Sequence, residues 1–322
     1  MDRDLDGGLM AISFVDPLSR AVERMRQTLF QPFNLVKWLV LGFSAWLAGL
    51  ASGAGGGTGA SNLDQQNWDH PGDIVHDLGH AWDWFLENIF LLPLGLLLIS
   101  LVLVVVLLLL WISSRAKFVF LDNVVHDRAH IVEPWKRFQR LGNSLFLWRF
   151  GFVVACFVVL MGVALLVFAP AATLSFNDAV RGLSFAGMFF GVLLVLVIAL
   201  VIAFVLLLLE NFVIPIMYRF DLKATEAWRA FLPWLRAHPG WFFLYGLFVL
   251  LVAIPLLFVI ALLVCCTCCI VALPYVGTVI LLPLWVSYRA LGPEFLAQFD
   301  PKFDVFAMAL PQIPEIAAEP SE

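Results

Sequence analysis

Long apolar runs constrain this chain more than any other feature. Between residues 91 and 111 the sequence is almost entirely Leu, Val and Ile, with no charged residue. A run of about 20 such residues matches the hydrocarbon thickness of a bilayer when helical. Comparable runs occupy residues 35–51, 89–113, 150–170 and 185–209. A last block, residues 241–288, is too long for one crossing. It divides around residues 265–274 into a fifth and a sixth span. The composition agrees: 62% of the 322 residues are hydrophobic and 13% charged, against roughly 45–50% and 25% in a soluble domain. Mean hydropathy is +0.95. One soluble core cannot hide so much apolar surface, and lipid is the expected solvent.

The basic residues fix the expected orientation. Arg3, Arg20, Arg24, Arg26 and Lys37 precede or open the first span. Arg115, Lys117, Arg128, Lys136, Arg137, Arg140 and Arg149 lie between the second and third. Arg219, Lys223, Arg229 and Arg236 lie between the fourth and fifth, and Arg289 and Lys302 follow the sixth. Of the 19 Lys and Arg residues, only Arg181 falls elsewhere. Residues 51–88 carry no Lys or Arg but six acids: Asp64, Asp69, Asp73, Asp77, Asp83 and Glu87. Basic connections stay on the cytoplasmic side. Six spans with both termini in the cytoplasm satisfy that rule. The formal net charge of −5 points to no nucleic-acid partner. The acidic start, with Asp2, Asp4 and Asp6, lacks the pattern of a cleaved signal peptide.

Apolar residues recur at helical spacing inside the basic connections: Val15, Leu18, Val22, Met25 and Leu29; Val124, Ile131, Trp135, Phe138 and Leu141; Leu222, Ala227, Trp228, Phe231 and Leu235. With Lys and Arg interleaved, these predict three amphipathic helices in the cytoplasmic interface, facing anionic headgroups. The pattern also repeats. Glu133-Pro134-Trp135-Lys136-Arg137-Phe138 resembles Glu226-Ala227-Trp228-Arg229-Ala230-Phe231. Trp111-Ile112-Ser113-Ser114-Arg115-Ala116 resembles Trp285-Val286-Ser287-Tyr288-Arg289-Ala290. The expected fold is therefore all-α and polytopic: a three-fold repeat of interfacial helix plus transmembrane hairpin, over about residues 14–113, 114–210 and 211–300. Residues 305–322, with Pro311, Pro314 and Pro320, read as an unstructured cytoplasmic tail.

Few residues offer chemistry. Cys265, Cys266, Cys268 and Cys269 are candidates for a redox role. Four thiols so close in sequence cannot all turn to one metal ion, and packing is the plainer reading. His76 and His80, one helical turn apart beside Asp73, Asp77 and Asp83, are weak metal candidates. His126 and His130, with Asp122 and Glu133, read as a solvated polar face. Gly53, Gly55, Gly56, Gly57 and Gly59 lack the Lys and hydroxyl of a phosphate-binding loop. Glu210 stands at the inner end of the fourth span, and Arg115 and Arg289 at the matching ends of the second and sixth. An ion pair of Glu210 with one or both arginines is the expected polar contact of the bundle. Pro255 and Pro283 interrupt helical hydrogen bonding within the fifth and sixth spans. No catalytic or cofactor-binding residue emerges.

Three features carry a resemblance: the repeated Trp-plus-Arg interfacial helices; Leu273-Pro274-Tyr275-Val276-Gly277 with Leu281-Leu282-Pro283; and Tyr288-Arg289-Ala290-Leu291-Gly292-Pro293-Glu294-Phe295. The chain resembles, over about residues 14–299, uncharacterised bacterial multi-pass proteins similar to the membrane domain of glycerophosphoryl diester phosphodiesterases. The resemblance implies a helical bundle in a bacterial cytoplasmic membrane. It carries over no activity, because the catalytic domain of those enzymes has no counterpart here. The expected function is a non-enzymatic membrane protein without cofactor, binding lipids or a partner protein. A lipid or small-solute transporter is the alternative, and a membrane enzyme with a metal at the outer His pair a remote one.

Overall fold

The computed structural model describes residues 12–31, 33–51, 92–174, 181–267 and 273–309. All regular structure among them is helical. The elements are α1 (Val15–Phe30), α2 (Leu35–Gly49), α3 (Leu92–Val125), α4 (Val132–Arg137), α5 (Gln139–Leu174) and α6 (Arg181–Leu208). A π-helical turn (Leu209–Val213) follows, then α7 (Ile214–Phe220), α8 (Ala224–Ala237), α9 (Pro239–Cys266), α10 (Pro274–Ile280) and α11 (Leu282–Leu296). Two short 3₁₀ turns, Pro301–Phe303 and Phe306–Ala309, close the described chain.

The long helices have two zones of different character. Apolar side chains from Leu94 to Leu108 on α3, Val153 to Leu165 on α5, Phe189 to Val201 on α6 and Phe243 to Leu262 on α9 stand largely exposed. Water does not tolerate contiguous apolar surface on that scale. α3, α5, α9 and the run from α6 into α7 are long and apolar enough to cross a bilayer. The chain is an all-α helical membrane protein.

The second zone gathers at one end of these helices and is packed. Phe118, Leu121, Leu141, Leu145, Leu209, Phe212, Phe231, Phe242, Tyr245 and Phe295 are buried there. Phe212 is the hub, with ring centroids 4.9 Å from Tyr245, 5.2 Å from Phe242 and 5.5 Å from Phe231. Aromatic pairs at such separations contribute about 0.5–1.5 kcal/mol each beyond area burial.

The amphipathic helices seal this end. α1 lies against α11: Phe14 stacks on Phe295 at 5.4 Å, and the buried Glu294 carboxylate pairs with Arg24 and, at 3.6 Å, with Arg20. α2 starts where the Asn34 side chain accepts from the amides of Val36 and Lys37, an N-cap that satisfies two orphan donors. It is tied to α10 by the Trp38 indole donating to the Val279 carbonyl at 2.9 Å. α8 presents Ala224, Ala227 and Phe231 inward.

Four expectations need correction. Hydropathy ended the second span near residue 113, but α3 runs on to Val125 because protein rather than lipid buries its last three turns. The amphipathic helix expected over residues 124–141 is therefore divided. Val124 belongs to α3, Trp135 to the six-residue α4, and Leu141 to α5, with Phe138 breaking the run. The sixth expected span is not one helix: it ends and restarts at Leu281, where Pro283 falls in the first turn of α11 and needs no amide partner. Finally, the tail expected to be unstructured from residue 305 starts as packed chain, with Val305 and Phe306 buried and the Arg24 guanidinium 3.8 Å from the Phe306 ring centre. α2, at 15 residues, is roughly 22 Å long, shorter than the four helical runs long enough to cross a bilayer.

Candidate functional site

Small side chains leave room between the helices at the packed end. Ala45, Ala48, Gly49 and Ala51 on and just beyond α2, with Ala203 on α6, line a cavity of about 580 Å³. Phe120, Leu206, Leu207 and Trp285 extend its apolar wall. The polar lining is Lys117 on α3, Arg149 on α5, Glu210 in the π-helical turn, and Tyr288 and Arg289 on α11. The volume lies within the ordinary range of small-molecule sites, roughly 300–1,000 Å³.

The π-helical turn brings Glu210 to this wall. A single extra residue interrupts the regular hydrogen-bond ladder, and such turns recur at functional sites. Asn211 repairs the local deficit: its amide group donates to the Leu207 carbonyl and to the Tyr288 hydroxyl, both at 3.0 Å, and accepts from the Tyr245 hydroxyl at 3.1 Å. α11 crosses this turn at Gly292. A methyl group there would sit 2.2 Å from the Asn211 carbonyl oxygen, so only glycine permits the approach.

The cations enter from three further helices. Lys117 forms an ion pair and hydrogen bond with Glu210. Arg289 reaches the same carboxylate at 3.5 Å and donates to the Glu210 carbonyl at 3.1 Å and the Lys117 carbonyl at 3.3 Å; its buried Nε has no hydrogen-bond partner among the described residues. Arg149 has hydroxyl neighbours, Ser113 at 3.5 Å and Ser114 at 3.4 Å. Lys117, Arg149 and Arg289 are only 3%, 6% and 8% exposed. Among the described lining residues, three buried cations thus face one carboxylate. Burying an ion costs several kcal/mol unless it is paired, so this arrangement favours a negatively charged occupant.

Of the residues singled out from sequence, Glu210 and Arg289 meet here. Arg115 does not. Its guanidinium stacks on Trp111, 4.3 Å from the ring centre, and donates to the Asn143 side chain at 3.0 and 3.2 Å. Lys117 and Arg149 were not singled out. Both fell in a basic connection, where solvated charge is the ordinary reading. The signal that finds Lys117 is Phe118, Leu121 and Val125, whose spacing continues the helix beyond the apolar run.

The remaining candidates lie apart. Cys265 and Cys266 stand exposed and free in the last turn of α9, and Cys156 is half-buried on α5. Cys268, Cys269, His76, His80 and the glycines from Gly53 to Gly59 lie outside the described residues. No three His, Cys, Asp or Glu residues come close enough to hold a metal among the described residues. His126 and His130 diverge. The His126 ring is 3.2 Å from the buried Asp122 carboxylate and 3.3 Å from the Tyr218 hydroxyl, whereas only the His130 amide is tied down, donating to Asn123 at 3.1 Å. Asp122 also accepts from Tyr218 at 2.7 Å and Arg128 at 2.8 Å. That bond raises the Arg128 pKa above its ordinary value. This network ties the loop after α3 to α7.

A family model described as a family of unknown function, DUF7544, matches residues 12–299. Neither a curated protein nor a solved structure matches the chain. Nothing in these comparisons supports the resemblance to the phosphodiesterase membrane domain.

Proposed function

The chain belongs to the DUF7544 family, a family of unknown function, and we propose that it is a multi-pass membrane protein that binds the headgroup of an anionic amphiphile in the cavity beside Glu210. One observation carries this reading: the lining sets Lys117, Arg149 and Arg289, all buried, against a single carboxylate. Tyr288 apart, the rest of the wall is apolar, as an acyl chain requires.

Position along the helices supports a lipid headgroup. Lys117 lies six residues beyond Trp111, the end of the apolar run of α3. At 1.5 Å per residue that is about 9 Å past the hydrocarbon edge, the depth of phosphates. Arg149 directly precedes the apolar stretch of α5, and Glu210 directly follows that of α6. These three charges, with Arg289 beside Glu210, share one layer. The placement of Lys and Arg makes that layer the cytoplasmic one, with six membrane segments, α10 and α11 together forming the last, and both termini inside. A bacterial cytoplasmic membrane and a repeated helix-plus-hairpin unit fit this arrangement.

Transport is the second reading, favoured by the interruption at Leu281. Broken helices line substrate sites in transporters, and α11, the half beyond the break, brings Trp285, Tyr288 and Arg289 to the cavity.

The test is to purify the chain in native nanodiscs and compare retained lipids with an empty-scaffold control by mass spectrometry. Enrichment of anionic over zwitterionic lipid, reduced by Arg149→Gln and unchanged by the exposed Arg236→Gln, is the expected result. Bulk lipid composition in all three samples would defeat the proposal.

A further inference from the structure

We infer that the cavity recognises a dianionic phosphomonoester rather than a singly charged phosphodiester, an inference that rests on the reading of this cavity as an anionic-ligand site. Lys117, Arg149 and Arg289 against Glu210 leave a formal lining charge of +2 among the described residues. In a site walled by Ala45, Ala48, Ala203, Leu206 and Leu207, that excess has little water to screen it. A phosphomonoester carries about −1.5 to −2 at neutral pH and neutralises it. A phosphodiester carries one charge and leaves a buried cation unmatched.

Donor geometry points the same way. A terminal phosphate offers three oxygens, a diester only two. Arg149 approaches from α5, its hydrogen bonds among the described residues being the long contacts to Ser113 and Ser114. Arg289 approaches from α11 with its buried Nε unpartnered among the described residues, and Lys117 from α3. Arginine forks suit planar, bidentate contacts to phosphate, and lysine serves as a point charge. Glu210 then has a second role. It holds Lys117 and Arg289 together. An entering phosphate competes with that carboxylate for the two cations, and a dianion attracts them more strongly than a monoanion does. The same chemistry is offered by a lipid such as phosphatidic acid and by free inorganic phosphate.

The experiment reconstitutes the full chain in nanodiscs of zwitterionic lipid. Phosphatidic acid, phosphatidylglycerol and inorganic phosphate are titrated separately, with bound ligand read by native mass spectrometry and by the shift in unfolding temperature. The expected result is at least tenfold tighter binding of phosphatidic acid than of phosphatidylglycerol. That preference should fall in Arg149→Gln and partly return in Arg149→Lys. Inorganic phosphate displacing phosphatidic acid at millimolar concentration would also support a phosphate dianion, with a soluble source. Equal binding of the two lipids overturns the phosphomonoester assignment and leaves the anionic-amphiphile reading intact. No binding of either lipid above the zwitterionic background overturns both. The wild-type comparison alone decides the matter, so a variant that fails to fold does not obscure it.

Discussion

Lys117 and Glu210, 93 residues apart in the chain, form an ion pair across the cavity wall. The pair joins α3 to the π-helical turn after α6, and Arg289 of α11 closes on the same carboxylate. Three elements thus depend on one acidic side chain.

Glu210→Gln should destabilise the bundle. Removing one partner from a fully buried pair costs about 3–5 kcal/mol. The cost here should fall below that range because the Glu210 side chain is 23% exposed. A lower unfolding temperature in detergent is expected, largely recovered on adding anionic lipid, which substitutes for the lost charge. The double swap Lys117→Glu with Glu210→Lys should recover more stability than either single change. Failure of both rescues would show that the pair is not what holds these elements together.

Gly292→Ala should be poorly tolerated. The new methyl group would meet the Asn211 backbone at 2.2 Å, and a backbone cannot rotate away as a side chain can. Overpacking typically costs about 1–3 kcal/mol. Gly151→Ala, with open space around the site, should leave thermal stability unchanged. Equal melting temperatures for the two variants would contradict the close crossing of α11 over the π-helical turn.

Most of the apolar architecture was legible in the sequence, and most of the cavity was not. The runs of α3, α5, α6 and α9 announce themselves because lipid demands apolar side chains on every face. α1 and α8 were legible because a lone amphipathic face has a period. Hydropathy fails where a helix leaves lipid and enters protein. Past Ser113, α3 carries Lys117, Asp122 and Asn123, which read as a solvated connection but are buried by neighbouring helices. Arg115 and Lys117 are two residues apart on one helix and so face different ways. Sequence alone could not say which of them would reach Glu210. The break at Leu281 left only a proline as its trace, and Pro255, the same residue type, stays within continuous helix in α9.

Tyr218→Phe should cost about 1–3 kcal/mol, the penalty for leaving a buried polar group short of a partner. The Tyr218 hydroxyl bonds to Asp122 at 2.7 Å, and Asp122 is fully buried. The change should lower the unfolding temperature and speed hydrogen exchange in the loop after α3, without altering the lipid profile. A changed lipid profile with intact stability would contradict the structural role assigned to this network.

The proposed orientation predicts the sidedness of labelling. In a cysteine-free background, Arg229→Cys on the exposed face of α8 should react with a membrane-impermeant maleimide only after the cytoplasmic side is opened. Labelling of intact cells at that position would reverse the orientation and remove the cytoplasmic leaflet as the source of the ligand.

The most direct measurement is photocrosslinking with an anionic phospholipid that bears a photoreactive group near its headgroup, followed by peptide mapping. The predicted adducts lie on the cavity lining, around Ala45–Ala51, Ala203–Leu207 and Trp285–Tyr288, and are lost in Arg149→Gln and Arg289→Gln. Adducts spread over the exposed apolar surface from Leu94 to Leu108, and unchanged by either substitution, would show that the protein only sits in lipid and that the cavity holds none.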